Sequence, residues 1–125
     1  MALQLGPVIG KIGGGNLPLL DSSPSVQVGE YKDVDVAELT IPESAVYAVF
    51  VKFSSINGAA NADSFFLDLL RNGNRLARFV HSNRSSLMSV SGAVELPRGA
   101  LTLQVLNSSS SQSAVVGRVL VSKIG

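Results

Sequence analysis

From residue 26 onward, apolar side chains alternate with polar ones through most of the chain, and this period of two is the feature that most restricts the fold. The alternation is clearest in LMSVSGAVEL at 87–96 and in ALTLQVL at 100–106. It is the pattern of a β-strand with one buried and one exposed face. Stretches rich in Ser, Pro, Gly and Asn separate the alternating segments, and no segment has a clear helical period. The sequence therefore predicts an all-β sandwich or barrel.

The segment 64–81 carries the strongest local signal, because Asn72-Gly73 lies between two apolar runs. Asn and Gly accept the positive φ angles of a type I′ turn, so we predict a β-hairpin. Pairing outward from the turn places Leu69 opposite Leu76, Phe65 opposite Val80, Phe66 opposite Phe79 and Asp68 opposite Ala77. Both faces of such a hairpin are partly apolar, although a small sandwich buries only one of them. We therefore predict that the second face forms a subunit interface with these residues: Phe50, Phe66, Leu70 and Phe79.

Composition indicates one globular domain of 125 residues, since 46% of the residues are hydrophobic and only 15% are charged. The net charge of +1 argues against a general nucleic-acid-binding protein. The chain contains no cysteine, so nothing points to an oxidising compartment. Charge is uneven along the chain, because eight of the nine acidic residues precede residue 71 and seven of the ten basic residues follow residue 70.

Four arginines gather in and after the hairpin, namely Arg71, Arg75, Arg78 and Arg84. A cluster of this kind is a candidate patch for an acidic partner surface or for a carboxylate-bearing glycan. Ion pairing inside the fold is the alternative, since the predicted register places Arg75 diagonally beside Asp68.

The N-terminal stretch MALQLGPVIGKIGGGNLPLLDSSPS is apolar but interrupted by glycine and proline. It lacks the unbroken apolar core of a secretory signal and the roughly 20-residue apolar run of a transmembrane helix. GPVIGKI also lacks the spacing and the hydroxyl residue of a phosphate-binding loop. We predict an extended anchoring arm over 1–24 and a β domain over 25–125. The side chains expected to anchor the arm are Leu5, Val8, Ile9, Ile12, Leu17, Leu19 and Leu20.

Residues that could carry chemistry are few. The single histidine, His81, follows the hairpin strand, and nucleophilic catalysis needs a base that a third group orients. Asp33 and Asp35, with Glu38 near them, could supply oxygen ligands for Ca²⁺, but a solvated strand face is the interpretation that we prefer. We therefore expect no enzyme activity, no cofactor and no metal site.

Four segments together resemble a known family. TIPESAVYAVFVKF at 40–53, LDLLRNGNRLA at 67–77, VELPRGALTLQV at 94–105 and VVGRVLVSKI at 115–124 follow one another in the order of the tumour-necrosis-factor-like and complement-globular-head jelly rolls. Pro42, Ala45 and Tyr47 stand at the positions of the family's proline, small residue and aromatic residue in the first segment.

This resemblance implies an antiparallel jelly-roll sandwich over 25–125, a homotrimer and no catalysis. A short apolar arm ahead of the jelly roll is similar to versions of the family found on bacteriophage virions. The implied function is a virion structural protein, assembled in the host cytoplasm, that decorates a capsid or forms part of a head or tail fibre by contacting other virion proteins. The alternative is a receptor- or glycan-binding module that acts in host attachment. Neither function involves nucleic acid or a membrane.

Overall fold

The computed structural model describes residues 17–55, 65–80, 87–108 and 113–125, and within these ranges the chain consists of strands and the turns that join them. The strands are β1 (Leu20–Ser22), β2 (Val26–Val28), β3 (Asp33–Ile41), β4 (Ala45–Ser55), β5 (Phe65–Arg71), β6 (Asn74–Val80), β7 (Leu87–Leu96), β8 (Gly99–Asn107) and β9 (Ala114–Lys123). All of the strand pairs are antiparallel, which confirms the predicted all-β sandwich.

The strands form two sheets. In the five-stranded sheet, β9 lies between β4 and the two short strands β1 and β2, and β7 forms the other edge beside β4. The short strands follow one another along β9, since β1 pairs with 119–121 and β2 with 114–116. The four-stranded sheet has the order β3-β8-β5-β6.

The core lies between the sheets and is built from the inward side of each alternating strand. On β4, the side chains that the alternation places on one face of the strand are all buried: Tyr47, Val49, Val51 and Phe53. The ring of Phe53 packs against Phe65 of the facing sheet, with 5.2 Å between centroids. Each large apolar side chain buried in this way contributes about 1.5–3 kcal/mol of transfer free energy. The Tyr47 hydroxyl donates a hydrogen bond of 2.8 Å to the Glu43 carbonyl, so its burial leaves no unpaired polar group.

The hairpin over β5 and β6 confirms the predicted turn but corrects the predicted pairing. Asn72 and Gly73 have φ angles of 52° and 80°, as a type I′ turn requires. One extra residue, Leu76, forms a β-bulge in β6, so every pair beyond it is shifted by one residue. The pairs observed are Phe66 with Val80, Leu67 with Phe79, Asp68 with Arg78 and Leu69 with Ala77.

The end of the predicted arm joins the five-stranded sheet. Leu20 pairs with Val121 in β1, and the Leu19 amide donates a 2.7 Å hydrogen bond to the Val121 carbonyl. Leu17 is 89% exposed. The remaining predicted anchoring residues, Leu5, Val8, Ile9 and Ile12, lie outside the described residues, and their anchoring role remains a prediction.

Candidate functional site

The outward side of the four-stranded sheet carries a row of polar side chains that crosses all four strands. Register aligns Asp35 of β3, Gln104 of β8, Asp68 of β5 and Arg78 of β6. Gln104 lies between the buried residues Leu103 and Val105, so the alternation of β8 directs its side chain away from the core. We call this outward side, centred on the row, the polar sheet face.

Asp68 and Arg78 form the fixed centre of the row. The Arg78 Nε and Nη2 atoms donate hydrogen bonds of 2.6 and 2.7 Å to the two oxygens of Asp68. Asp68 is only 5% exposed, so its carboxylate is shielded from water far more than in an ordinary surface pair, while the Arg78 side chain is 32% exposed. Donating these hydrogen bonds to the Asp68 carboxylate raises the pKa of Arg78 above its ordinary value, which keeps the guanidinium charged. Three of its five N–H groups are not used by Asp68.

The same guanidinium lies over an aromatic ring. The Arg78 Cζ atom is 4.7 Å from the centroid of Phe66, which is within the range of a cation–π contact. Phe66 is half-buried and lies in the neighbouring row of the face, between Val80 and Leu106. An aromatic ring is therefore held beside an ordered cation.

The other half of the row is a hydrogen-bonded amide and carboxylate. The Gln104 Nε2 atom donates to Asp35 Oδ1 over 3.1 Å. This bond orients the amide of Gln104, whose side-chain carbonyl and second N–H are not used by Asp35. Amide, carboxylate and guanidinium groups thus lie in one line with fixed orientations.

Tyr31 lies in the turn that joins β2 to β3, two residues before Asp33, at the end of the sandwich where β3 begins. Its side chain is 69% exposed and its φ angle is 54°, a left-handed conformation that is unusual for a bulky residue. Backbone strain of this kind costs on the order of 1 kcal/mol and often marks a functional position. The turn presents an aromatic ring to solvent.

A buried amide holds this turn in place. Asn107 is 0% exposed, and its Nδ2 atom donates to the carbonyl of Gly29 over 3.1 Å and to that of Val28 over 3.4 Å. The Asn107 amide N–H donates to the Lys32 carbonyl over 2.8 Å. Asn107 therefore acts as a positioning residue for the Tyr31 turn. No local pattern in the sequence indicates this role for Asn107 or singles out Tyr31, although the short GEYK stretch between two alternating segments is a turn signal.

The predicted arginine patch is divided by the structure. Arg75 and Arg78 lie on the polar sheet face, whereas Arg71 donates to the carbonyls of Ala100 and Pro97 over 2.8 and 2.9 Å and so braces the turn between β7 and β8. The ion-pair partner of Asp68 is Arg78 and not Arg75, because of the bulge at Leu76. Arg84 and His81 lie outside the described residues.

The residues predicted to form a subunit interface lie in three places. Phe66 and Leu70 are on the polar sheet face, and Phe50 is on the outward side of the five-stranded sheet. Phe79 points inward and packs over Gly92 of β7, where a Cβ atom would lie less than 3 Å from its ring. The predicted face shared by Phe66 and Phe79 is therefore wrong, since the bulge turns Phe79 to the opposite side. Their role in an interface remains a prediction.

Within the described residues, no group of three or more Asp, Glu, His or Cys residues is arranged to hold a metal ion, and Asp33 and Asp35 are exposed. The same part of the chain contains no helix long and apolar enough to cross a membrane.

Comparison with families and curated proteins gives no match: no family model and no curated sequence is significantly similar to the chain. Comparison with solved structures gives many matches. The carbohydrate-binding module CBM6cm-2 from Cellvibrio mixtus lichenase 5A, solved with cellotriose, has a TM-score of 0.60 at 12% identity and covers 87% of this chain and 100% of its own.

Two further modules are similar over nearly the whole chain. The C-terminal CBM6 of the laminarinase LamC from Zobellia galactanivorans has a TM-score of 0.53 at 15% identity and covers 85% of this chain and 93% of its own. A CBM36 module in complex with calcium and xylotriose has a TM-score of 0.50 at 16% identity, with coverages of 89% and 92%.

These similarities show that the chain has a jelly-roll sandwich fold. The fold predicted from the resemblance to the tumour-necrosis-factor-like family is therefore confirmed. The three similar structures named here are carbohydrate-binding modules, and none of them is a tumour-necrosis-factor-like protein or a phage virion protein.

Proposed function

We propose that the protein is a non-catalytic glycan-binding domain whose ligand lies on the polar sheet face and against Tyr31. The observation that carries this proposal is the fixed line of amide, carboxylate and guanidinium groups beside the ring of Phe66. The fold shared with carbohydrate-binding modules supports the proposal but does not by itself define a function.

The chemistry of the face suits a saccharide. Sugar hydroxyls both donate and accept hydrogen bonds. The row offers donors on Arg78 and Gln104 that Asp68 and Asp35 do not use, and acceptor oxygens on Asp35. Aromatic rings supply apolar contact for the C–H faces of a sugar, and here the exposed Tyr31 can supply it. Phe66 lies beneath Arg78, so its ring supports the guanidinium and offers only its uncovered part to a ligand. Because these groups are already held by neighbours, binding costs little side-chain ordering.

No catalytic step is part of this proposal. Asp68 is engaged by Arg78 in a bidentate ion pair, so it is not placed to act as a free acid or base. The host-attachment role, the virion location, the homotrimer and the contacts with capsid or tail proteins remain predictions from the sequence.

The test compares identical substitutions on the two outward sides of the sandwich. Gln104→Ala removes the amide from the polar sheet face, and Gln27→Ala removes an exposed amide from β2 of the other sheet. Binding to xylo-, cello- and laminari-oligosaccharides and to acidic polysaccharides is measured by affinity electrophoresis and calorimetry. We expect Gln104→Ala to lower affinity by up to about tenfold, the value of one to two hydrogen bonds, and Gln27→Ala to have no effect.

A second pair of variants tests the contribution of the aromatic ring on the polar sheet face. Phe66→Ala removes the ring beneath Arg78 and should weaken binding, while Phe50→Ala should not. The proposal is overturned if folded protein binds none of the saccharides, or if both members of each pair reduce affinity equally.

A further inference from the structure

A separate cavity of about 280 Å³ lies on the five-stranded sheet. It is lined by Ser23, Lys52, Phe53, Ser54, Gly117 and Arg118. A β-bulge in β9 creates part of it, because Val116 pairs with Phe53 and Arg118 pairs with Lys52, which leaves Gly117 between them without a partner on β4. The junction of β1 and β2 at Ser23 forms another wall.

Two positively charged side chains lie at the cavity in an arrangement that is normally unfavourable in a β-sheet. Lys52 and Arg118 are directly opposite each other on neighbouring strands, and like charges in this position are destabilising. Asp21 accepts hydrogen bonds from Arg118 Nε and Nη2 at 3.1 and 3.0 Å and so balances one of them. Lys52 forms no ion pair with any residue in the described ranges. One positive charge therefore remains uncompensated at the cavity.

The lining otherwise supplies hydrogen-bond donors. The hydroxyl groups of Ser23 and Ser54 can donate, the Lys52 ammonium has three N–H groups, and Arg118 retains N–H groups that Asp21 does not use. Arginine is suited to bidentate contact with a carboxylate or sulfate, and lysine to contact as a point charge. The volume is sufficient for one monosaccharide-sized group.

We propose that this cavity binds an oxyanion, a carboxylate or sulfate, carried on a monosaccharide-sized molecule, with Lys52 and Arg118 as its charge partners. The site lies on the opposite sheet from the polar sheet face, so it does not depend on the function proposed there. A free oxyanion and the carboxylate or sulfate group of an acidic sugar would make the same contacts with Lys52 and Arg118.

The probes are inorganic sulfate, glucuronate and neutral glucose, titrated at low salt into isotope-labelled protein and followed by amide chemical shifts. We expect sulfate and glucuronate to shift the amides of Lys52, Gly117 and Arg118, and glucose to leave them unchanged. Tighter binding of glucuronate than of sulfate would assign the site to an acidic sugar, and equal binding would assign it to a simple oxyanion. The proposal fails if neither anion shifts these amides.

Charge variants make the test specific. Lys52→Met keeps the unbranched side chain up to Cε and removes the charge, so it should reduce anion affinity at least about tenfold. Lys123→Met removes a cation that is already paired with Glu43 and should leave anion affinity unchanged. Asp21→Asn should increase anion affinity, because the carboxylate competes for Arg118. Equal losses in the two lysine variants, or weaker binding in Asp21→Asn, would overturn the proposal.

Discussion

Phe50 and Phe66 occupy similar positions on opposite outward faces of the sandwich, and each is half-buried. Phe66 lies under a guanidinium that Asp68 holds in place, within a face of ordered polar groups. Phe50 lies beside Leu120 and Ser91 on the adjacent strands, and Ala48 precedes it on the same side of β4. Both rings thus have apolar neighbours on adjacent strands, Val80 and Leu106 for Phe66 and Leu120 for Phe50. The difference is that Phe66 lies under a guanidinium that an ion pair holds in place.

This difference shows that an apolar residue on the second face of a strand does not by itself indicate a protein interface. From the sequence, Phe50 and Phe66 were both predicted to lie in a subunit interface, because each is an apolar residue on the second face of an alternating strand. Their neighbours across the sheet give the two rings different surroundings, and those neighbours come from strands distant in sequence. The predicted subunit interface remains a prediction for either face.

The largest expected effect concerns Phe79, which the structure assigns to neither outward face. Its ring packs inward over Gly92, so Phe79→Ala should destabilise the isolated domain by about 2–3 kcal/mol, less than the loss for a fully buried ring. Gly92→Ala should cost about 1–3 kcal/mol, since the new methyl group would overlap that ring. Urea denaturation measures both values.

A double variant separates this contact from other effects. In the Phe79→Ala background the ring is absent, so Gly92→Ala should cost almost nothing. If Gly92→Ala costs the same in both backgrounds, Phe79 does not pack on Gly92 in solution, and its assignment to the interior is incorrect.

The two ion pairs of the outward faces provide the next comparison. Asp68 is 5% exposed, and Asp68→Asn removes the charge that balances Arg78 in a shielded position, so we expect a loss of about 1–2 kcal/mol. In the pair on the other sheet, the side chain of Asp21 is 45% exposed. The same substitution, Asp21→Asn, should change stability very little. If urea denaturation shows the same loss of stability for Asp68→Asn and Asp21→Asn, the two carboxylates are shielded from water to the same extent.

The sequence predicted the strands and their inward faces well, because alternation and turn residues are local signals. The Asn72-Gly73 turn and the buried face of β4 are examples. The sequence could not predict the partner of Asp68. A β-bulge adds a single residue to one strand, here Leu76, and the pattern of apolar and polar residues around it shows almost no sign of the insertion. The bulge at Gly117 could not be predicted from the sequence for the same reason.

The candidate site was predicted less well than the fold. Arg78 and Phe66 were singled out, but for different roles, and Gln104 was treated only as the exposed position of a strand. The row across the face depends on the register of four strands, which no local pattern contains. Tyr31 depends on Asn107, which lies 76 positions further along the chain.

The smallest expected effect is the pH dependence of the exposed pair on the five-stranded sheet. Hydrogen bonding to Arg118 lowers the pKa of the Asp21 carboxyl below its ordinary value of 3.8. A carboxyl with a lowered pKa in the folded state stabilises the protein above its ordinary pKa, and this contribution is lost as the pH falls through the lowered value. The small difference in stability between the natural protein and Asp21→Asn should therefore be constant near neutral pH and disappear below pH 3.8.

Thermal unfolding of both proteins across this range is the measurement, and high salt should reduce the difference by screening. A difference that persists unchanged in strong acid would mean that Asp21 does not act through its charge on Arg118, and the two outward faces would then differ less in their electrostatics than the structure indicates.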